Sequence, residues 1–281
     1  MSESANKVED LVNDMVSSIP TVYFQLREAI DDPMSSFKDF ENIIRKDPGL
    51  VVRLLKVVNS PFYGLAEKVE TISRALMLVG VAQLNELILT TSISDQFKGI
   101  PKELIDMKTY LRHSIGCGMA AKMMADYKKI ENPESFYNAG MLHDIGSLVI
   151  FKKKPQQARE VLLACKSQNL SLTDAEQKIL GFDHAQAGGA LLKAWKLSKL
   201  LYEVVMWHHS PFKSTTHRTA AGIVHIADFI SYRLNEGTAG SRPETTLNED
   251  VLTELGLSRP YLATFEKKLK EPFETAVKDF L

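Results

Sequence analysis

Helical spacing runs through nearly all of this chain, and prolines cut it at short intervals. Apolar residues recur three and four positions apart, whereas the period-2 alternation and the Asn-Gly or Asp-Gly turns of strand hairpins are missing. The pattern predicts an all-α fold. Pro20, Asp32-Pro33, Asp47-Pro48, Ser60-Pro61, Pro101, Pro133, Pro155 and Ser210-Pro211 each begin or end an element. Proline lacks the N–H that a helix interior needs and disfavours helical geometry in the residue before it. Ser36 with Asp39, and Ser171 with Asp174, read as acidic variants of the capping box at helix starts. The run ALMLVGVAQLNELIL reads as one buried helix, because Gln83, Asn85 and Glu86 interrupt what a membrane span would need.

At 281 residues, with 44% hydrophobic and 25% charged residues, the chain can bury a sizeable core without a disulfide or metal to hold it. A metal here would be functional first. Lys plus Arg number 34 against 35 Asp plus Glu, a net charge of −1, so no overall basic field invites nucleic acid or an anionic membrane. Neither is expected as a partner. The two cysteines, Cys117 and Cys165, make no disulfide framework and no CxxC pair, and the opening MSESANKVED lacks the basic and apolar regions of a signal peptide. A reducing cytoplasmic setting is expected. The chain is expected to divide into an N-terminal helical half (7–98), a half carrying every histidine (99–235), and a Gly/Ser/Thr-rich loop EGTAGSRPETTLN with closing helices (236–281). The three are expected to form one integrated domain. Lys152 to Lys154 close the SLVIF helix, where cations suit the negative end of the macrodipole.

The histidines carry the chemistry. His113, His143, His184, His208, His209, His217 and His225 all fall between residues 113 and 225. His143 and Asp144 sit in AGMLHDIGSLVIF, read as an apolar helix interior, where an ionised carboxylate is costly unless a cation or hydrogen bonds compensate it. A metal ion would do so, and a mixed nitrogen and oxygen donor set suits Fe, Mn, Zn or Ni better than Ca or Mg. A buried His–Asp hydrogen-bonded pair without metal is the alternative. Cys117, one turn after His113, reads as a small buried thiol, and Trp195, Trp207, Met119, Met123 and Met124 as core. Gly188 and Gly189 read as packing glycines, and no Walker A, GxSxG or GxGxxG motif is present.

The order His113, His143-Asp144, His184, His208-His209, Asp228 resembles the HD superfamily of metal-dependent phosphohydrolases, in the extended arrangement of its HD-GYP branch. SIPTVYFQLREAIDDP, IIRKDPGLVVRLLKVVNSPFYG, GFDHAQAGGALLKAWKL and VVMWHHSP sharpen this to a resemblance to the HDOD domain, an HD-related output domain of bacterial signalling proteins, over roughly residues 10–235. The resemblance implies a multi-helical HD-type bundle with an additional N-terminal helical layer. It also implies one or two divalent transition-metal ions. His113, His143, Asp144 and Asp228 would hold the first, His184 and His208 the second, with Asp144 bridging and His209 a nearby ligand or substrate contact. His217 and His225 fall outside the pattern, and His225 is expected to be structural or to support the ligands.

Two departures matter. Where many HD-GYP proteins continue as DIGK, with the lysine facing a substrate phosphate, this chain reads DIGS, with Ser147. The acidic, glycine-rich stretch ending in GYP is replaced by SPFKSTTHRT, so the cyclic-dinucleotide recognition element is absent. Two functions follow from the resemblance. One is a bacterial signalling module that meets a protein partner on a metal-binding HD scaffold. The other is an active phosphohydrolase with a nucleotide or other phosphate ester as ligand.

Overall fold

The computed structural model describes residues 3–13, 15, 21–59, 63, 65, 67–235 and 246–280. Among them all regular structure is helical: α1 (Glu3–Asn13), α2 (Thr21–Asp31), α3 (Phe37–Arg45), α4 (Pro48–Val58), α5 (Ile72–Val79), α6 (Val81–Gln96), α7 (Met107–Tyr127), α8 (Pro133–Leu142), α9 (Ile145–Lys153), α10 (Pro155–Gln168), α11 (Leu172–Leu180), α12 (His184–Ala194), α13 (Lys199–Trp207), α14 (Arg218–Leu234), α15 (Glu249–Glu254) and α16 (Arg259–Phe280). The all-α expectation holds. Two compact units form, one of Met1–Ser17 with Phe97–Lys270, the other of Ser18–Gln96 with Glu271–Leu281.

Local chemistry sets the boundaries. Asp47 caps α4 by accepting from the Leu50 N–H at 2.9 Å, and Pro48 fills the first helical position, where no N–H is missed. The predicted capping box forms at Ser36, where Asp39 Oδ2 accepts from the Ser36 N–H at 2.8 Å; at Ser171 the cap alone forms, the Asp174 N–H donating to Ser171 Oγ at 3.1 Å while the Asp174 carboxylate accepts from the Ser171 hydroxyl. Lys152 and Lys153 lie in the last turn of α9, as expected. The run ALMLVGVAQLNELIL is not one helix. It breaks at Gly80, whose positive φ of 89° ends α5 before α6 begins. Pro20, Ser60, Pro61 and most of the 236–248 loop lie outside the described residues.

The smaller unit gathers Leu26, Ile44, Leu50, Leu54, Leu76 and Leu84 into a buried core. Asn59, at the end of α4, donates to the Val69 carbonyl and accepts from the Val69 N–H, both at 2.7 Å, pinning the segment that leads into α5.

The larger unit is built around α7, which packs on α8 and α14, and around α12, which packs on α9, α13 and α1. Trp195 is buried, and its indole N–H donates to the Met15 carbonyl at 3.1 Å. Two glycine contacts let backbones approach closely. A Cβ on Gly140 of α8 would lie 2.7 Å from the Gly118 Cα of α7. One on Gly146 of α9 would lie 1.9 Å from the His184 carbonyl and 2.5 Å from the Gly188 nitrogen of α12. Gly188 and Gly189 are packing glycines, as expected, set against Val205 and Met206 of α13.

Gly146→Ala therefore forces α9 and α12 apart. Overpacking of this severity, against backbone with no side chain able to yield, is expected to cost about 3 kcal/mol or more. Urea unfolding of the variant against the wild-type chain checks this.

Candidate metal centre

Helix ends bring the side chains of the centre together. The end of α8 delivers His143, and Asp144 occupies the N-cap position of α9. Thus the His-Asp pair does not sit in a helix interior, as its apolar neighbours suggested, but on the break between two helices, both side chains buried. The break turns the Asp144 carboxylate toward α12 and α13 while its position suits the positive end of α9. His184 opens α12, and α13 runs out into His208 and His209. His113 and Asp228 come from the middles of α7 and α14, which the Ser231 hydroxyl ties together by donating to the His113 carbonyl at 2.7 Å.

All seven expected residues meet in two adjoining groups, Asp144, His184, His208 and His209 in one and His113, His143 and Asp228 in the other. Within each, the ligand atoms lie within 4.8 Å of one another. His113 Nε2 is 2.9 Å from Asp228 Oδ1 and 3.3 Å from His143 Nε2. His184 Nε2 is 3.2 Å from Asp144 Oδ1 and 2.9 Å from His209 Nε2. The two groups share Asp144, whose Oδ1 lies 3.5 Å from His143 Nε2 and whose Oδ2 lies 4.0 Å from His113 Nε2. The Asp144 carboxylate thus stands between them.

The imidazoles are aimed by their other nitrogen. His143 Nδ1–H donates to the Gly140 carbonyl at 2.7 Å, and His208 Nδ1–H to the Val205 carbonyl at 2.7 Å. His184 Nδ1–H donates to Glu176 Oε2 at 2.7 Å, and the same oxygen accepts the His184 backbone N–H at 2.9 Å. With Nδ1 committed as donor in each ring, the neutral tautomer presents the Nε2 lone pair to the interior. The buried Nε2 of His208 has no hydrogen-bond partner among the described residues.

The electrostatics are those of too many ligands in too little solvent. Burial works against charge on His143 and His184, yet the carboxylates facing them, Asp144 for the first and Glu176 with Asp144 for the second, hold both well above the ordinary histidine range. Burial and neighbouring imidazoles push His208 well below that range and His209 down to about 4. Burial would raise Asp228, but hydrogen bonds from His113 and His143 outweigh it and hold the carboxyl well below its usual value.

A cation resolves these conflicts, and the donor atoms fit one. Atoms bound about 2.1 Å from a shared ion stand roughly 3.0–3.4 Å apart, close to the 2.9–3.5 Å between most of the facing nitrogens and oxygens here. The orphaned Nε2 of His208 would gain a partner, and Asp144 and Asp228 a counter-charge.

Glu176 was not legible beforehand. It is a fully buried carboxylate on α11 that fixes the His184 ring, and the signal for it is its place four residues before buried Leu180, on the inner face of the helix. His225 supports the centre without joining it. Its Nδ1–H donates to the His208 carbonyl at 2.9 Å, and its Nε2 accepts the Asn248 N–H at 3.0 Å. His217 pairs with Glu203 at 2.9 Å, apart from the centre. Cys117 is buried, its thiol raised by that burial. The centre opens onto a cavity of about 700 Å³, whose lining includes His113, Asp144, His184, His209 and Asp228.

An all-α bundle that gathers five histidines and two aspartates in this order, most of them at helix ends, is the scaffold of the HD class. The chain belongs to the HDOD domain family, which matches residues 16–211, so that Asp228 reaches the centre from beyond the matched stretch. Two solved structures share the fold. An HDOD domain protein of unknown function from Geobacter sulfurreducens superposes with a TM-score of 0.73 at 21% identity, covering 97% of this chain and 98% of its own. A candidate phosphohydrolase from Shewanella amazonensis does so with a TM-score of 0.74 at 20% identity, covering 96% and 98%. In sequence, the chain is 24% identical over 274 residues to an uncharacterized protein of Treponema pallidum, covering 96% of this chain but 52% of that one. The chain therefore spans about half the length of the curated relative it matches. No single helix among the described residues is long and apolar enough to cross a membrane.

Replacing Glu176 by Gln keeps its shape but removes the charge that orients His184. Losses of such supporting carboxylates typically cost about 10- to 100-fold in metal affinity. Chelator competition followed by metal analysis is expected to find a drop of that size in E176Q, with the far-ultraviolet dichroism unchanged.

Proposed function

We propose that this HDOD protein binds a pair of divalent transition metals, Fe, Mn, Zn or Ni, and hydrolyses a phosphate ester in the cavity above them. The observation that carries the reading is the convergence of imidazole Nε2 atoms and carboxylates on the wall of an open cavity. A purely structural ion has no need of such access. Bound there, a metal pair supplies Lewis acidity, lowering the pKa of water and drawing together the oxygens of a phosphoryl group.

The chain's own residues do the rest. Asp144 and Asp228 would supply the negative charge that retains the cations, with Asp144 placed between the two groups of histidines. Gly140, Val205 and Glu176 hold the rings of His143, His208 and His184 by their Nδ1–H groups, so little reorganisation accompanies loading. His209, only partly buried and lining the cavity, is placed at the boundary between ligand set and substrate.

A second reading, a signalling module that keeps the metal centre to brace its helices and meets a protein partner on its surface, is favoured by Ser147. This residue stands where a phosphate-facing lysine is found in many HD-GYP sequences, and here it is fully buried and outside the cavity lining.

Protein purified without added metal is expected to carry one or two equivalents of these ions by mass spectrometry, and Asp144→Ala to lose them. Metal at about 100 times its dissociation constant stabilises a native state by about 2.7 kcal/mol. The wild type should therefore melt higher when loaded, and the variant should not respond. A screen of phosphomonoesters and phosphodiesters against the loaded protein then separates the readings. Turnover abolished by D144A supports hydrolysis, and retained metal without turnover supports the signalling module.

A further inference from the structure

We propose that Lys213 is the anion-contacting residue of the cavity, and that a ligand binds with its phosphate between the Lys213 ammonium and the His/Asp floor. This rests on the phosphate-ester reading. Among the described lining residues Lys213 is the single Lys or Arg. The remaining polar lining does not favour an anion. Asp174 and Asp183 are carboxylates engaged with their own helix starts, Asp174 with the Ser171 hydroxyl at 2.6 Å and Asp183 with the Gln186 N–H at 2.8 Å. Gln177 spends its amide N–H groups on Asp183 and Gln186, at 3.1 and 2.9 Å. An incoming phosphate thus meets repulsion at Asp174 and Asp183 and occupied donors at Gln177, and the one full positive charge the described side chains of the wall offer it is Lys213.

Position and freedom both suit the role. Lys213 ends a short 3-10 turn, Pro211–Lys213, that begins two residues after His209, so the segment that delivers His209 to the floor also delivers the ammonium. The turn is closed by the Lys213 N–H donating to the Ser210 carbonyl at 2.9 Å and by the Ser214 N–H donating to the Pro211 carbonyl at 3.1 Å, and Pro211 is buried beneath it. The ammonium lies 5.8 Å from the Trp207 ring centre, a contact that holds a cation near the cavity without neutralising it. No carboxylate pairs with it among the described residues. An unpaired, exposed lysine adds little to stability here, whereas an ammonium is an effective point-charge partner for phosphate.

Calorimetric titration of the 281-residue, Mn-loaded chain with inorganic phosphate tests this, using Lys213→Met, which keeps the stem and removes the charge, and Lys213→Arg, which restores it. Metal content is measured alongside. The expected result is phosphate binding weakened about tenfold or more in K213M at unchanged metal content, with most of the loss recovered in K213R. Equal binding by K213M and wild type, or no phosphate binding by loaded wild type, would overturn the assignment. The parent reading fails separately. If the wild type takes up no metal, or turns over no ester while phosphate binding still depends on Lys213, the hydrolase falls and the anion site stands.

Discussion

Carboxylates withdrawn from water are the constraint around which the larger unit is arranged. Asp144, Asp228 and Glu176 are all buried, and each is faced by imidazole. Bringing even one such group indoors without compensation costs several kcal/mol. Histidine can meet part of that cost by taking up protons, but the rings compete. Charging His143 and His184 disfavours charging His208 and His209, as the opposed directions of their pKa shifts record. A set of protons cannot satisfy every member at once. A doubly charged ion shared through Nε2 can, since it asks every imidazole to be neutral and every carboxylate to be ionised.

Geometry makes the sharing feasible. Five of the seven ligand side chains stand at or beside helix ends, where the backbone is free to turn and where unsatisfied amides and carbonyls are at hand. The carbonyls of Gly140 and Val205, each three residues before its histidine, serve as ring anchors that an uninterrupted helix would have used for its own hydrogen bonds. The close backbone contacts at Gly140 and Gly146 then set the spacing between α7, α8, α9 and α12 on which the ligand distances depend.

The fold class, the caps at Ser36 and Ser171 and the seven residues that meet in the candidate centre were legible in the sequence, because each rests on residue type and order. What lay beyond reach depended on tertiary placement. Glu176 sits in TDAEQKIL, where a glutamate reads as solvated until the helix face carrying Leu180 is known to turn inward. The break between His143 and Asp144 has no proline or glycine at the junction itself, so an apolar run concealed it. At Gly80 the marker was present, but the apolar residues on either side argued for continuity. Lys213 lay in a stretch noted only for what it lacked, since nothing in SPFKSTTHRT shows that its turn borders a cavity.

The bond from Ser231 to the His113 carbonyl spans 118 positions of sequence, and the centre it braces draws on residues scattered over the same stretch. No local segment can assemble that centre alone. Contacts so distant along the chain form only after the intervening loops have been closed, which is the slow part of folding. During synthesis, the ligand set stays incomplete until α14 has left the ribosome. A truncated chain ending just before Asp228 would therefore keep all seven histidines but not the full set of carboxylates that faces them.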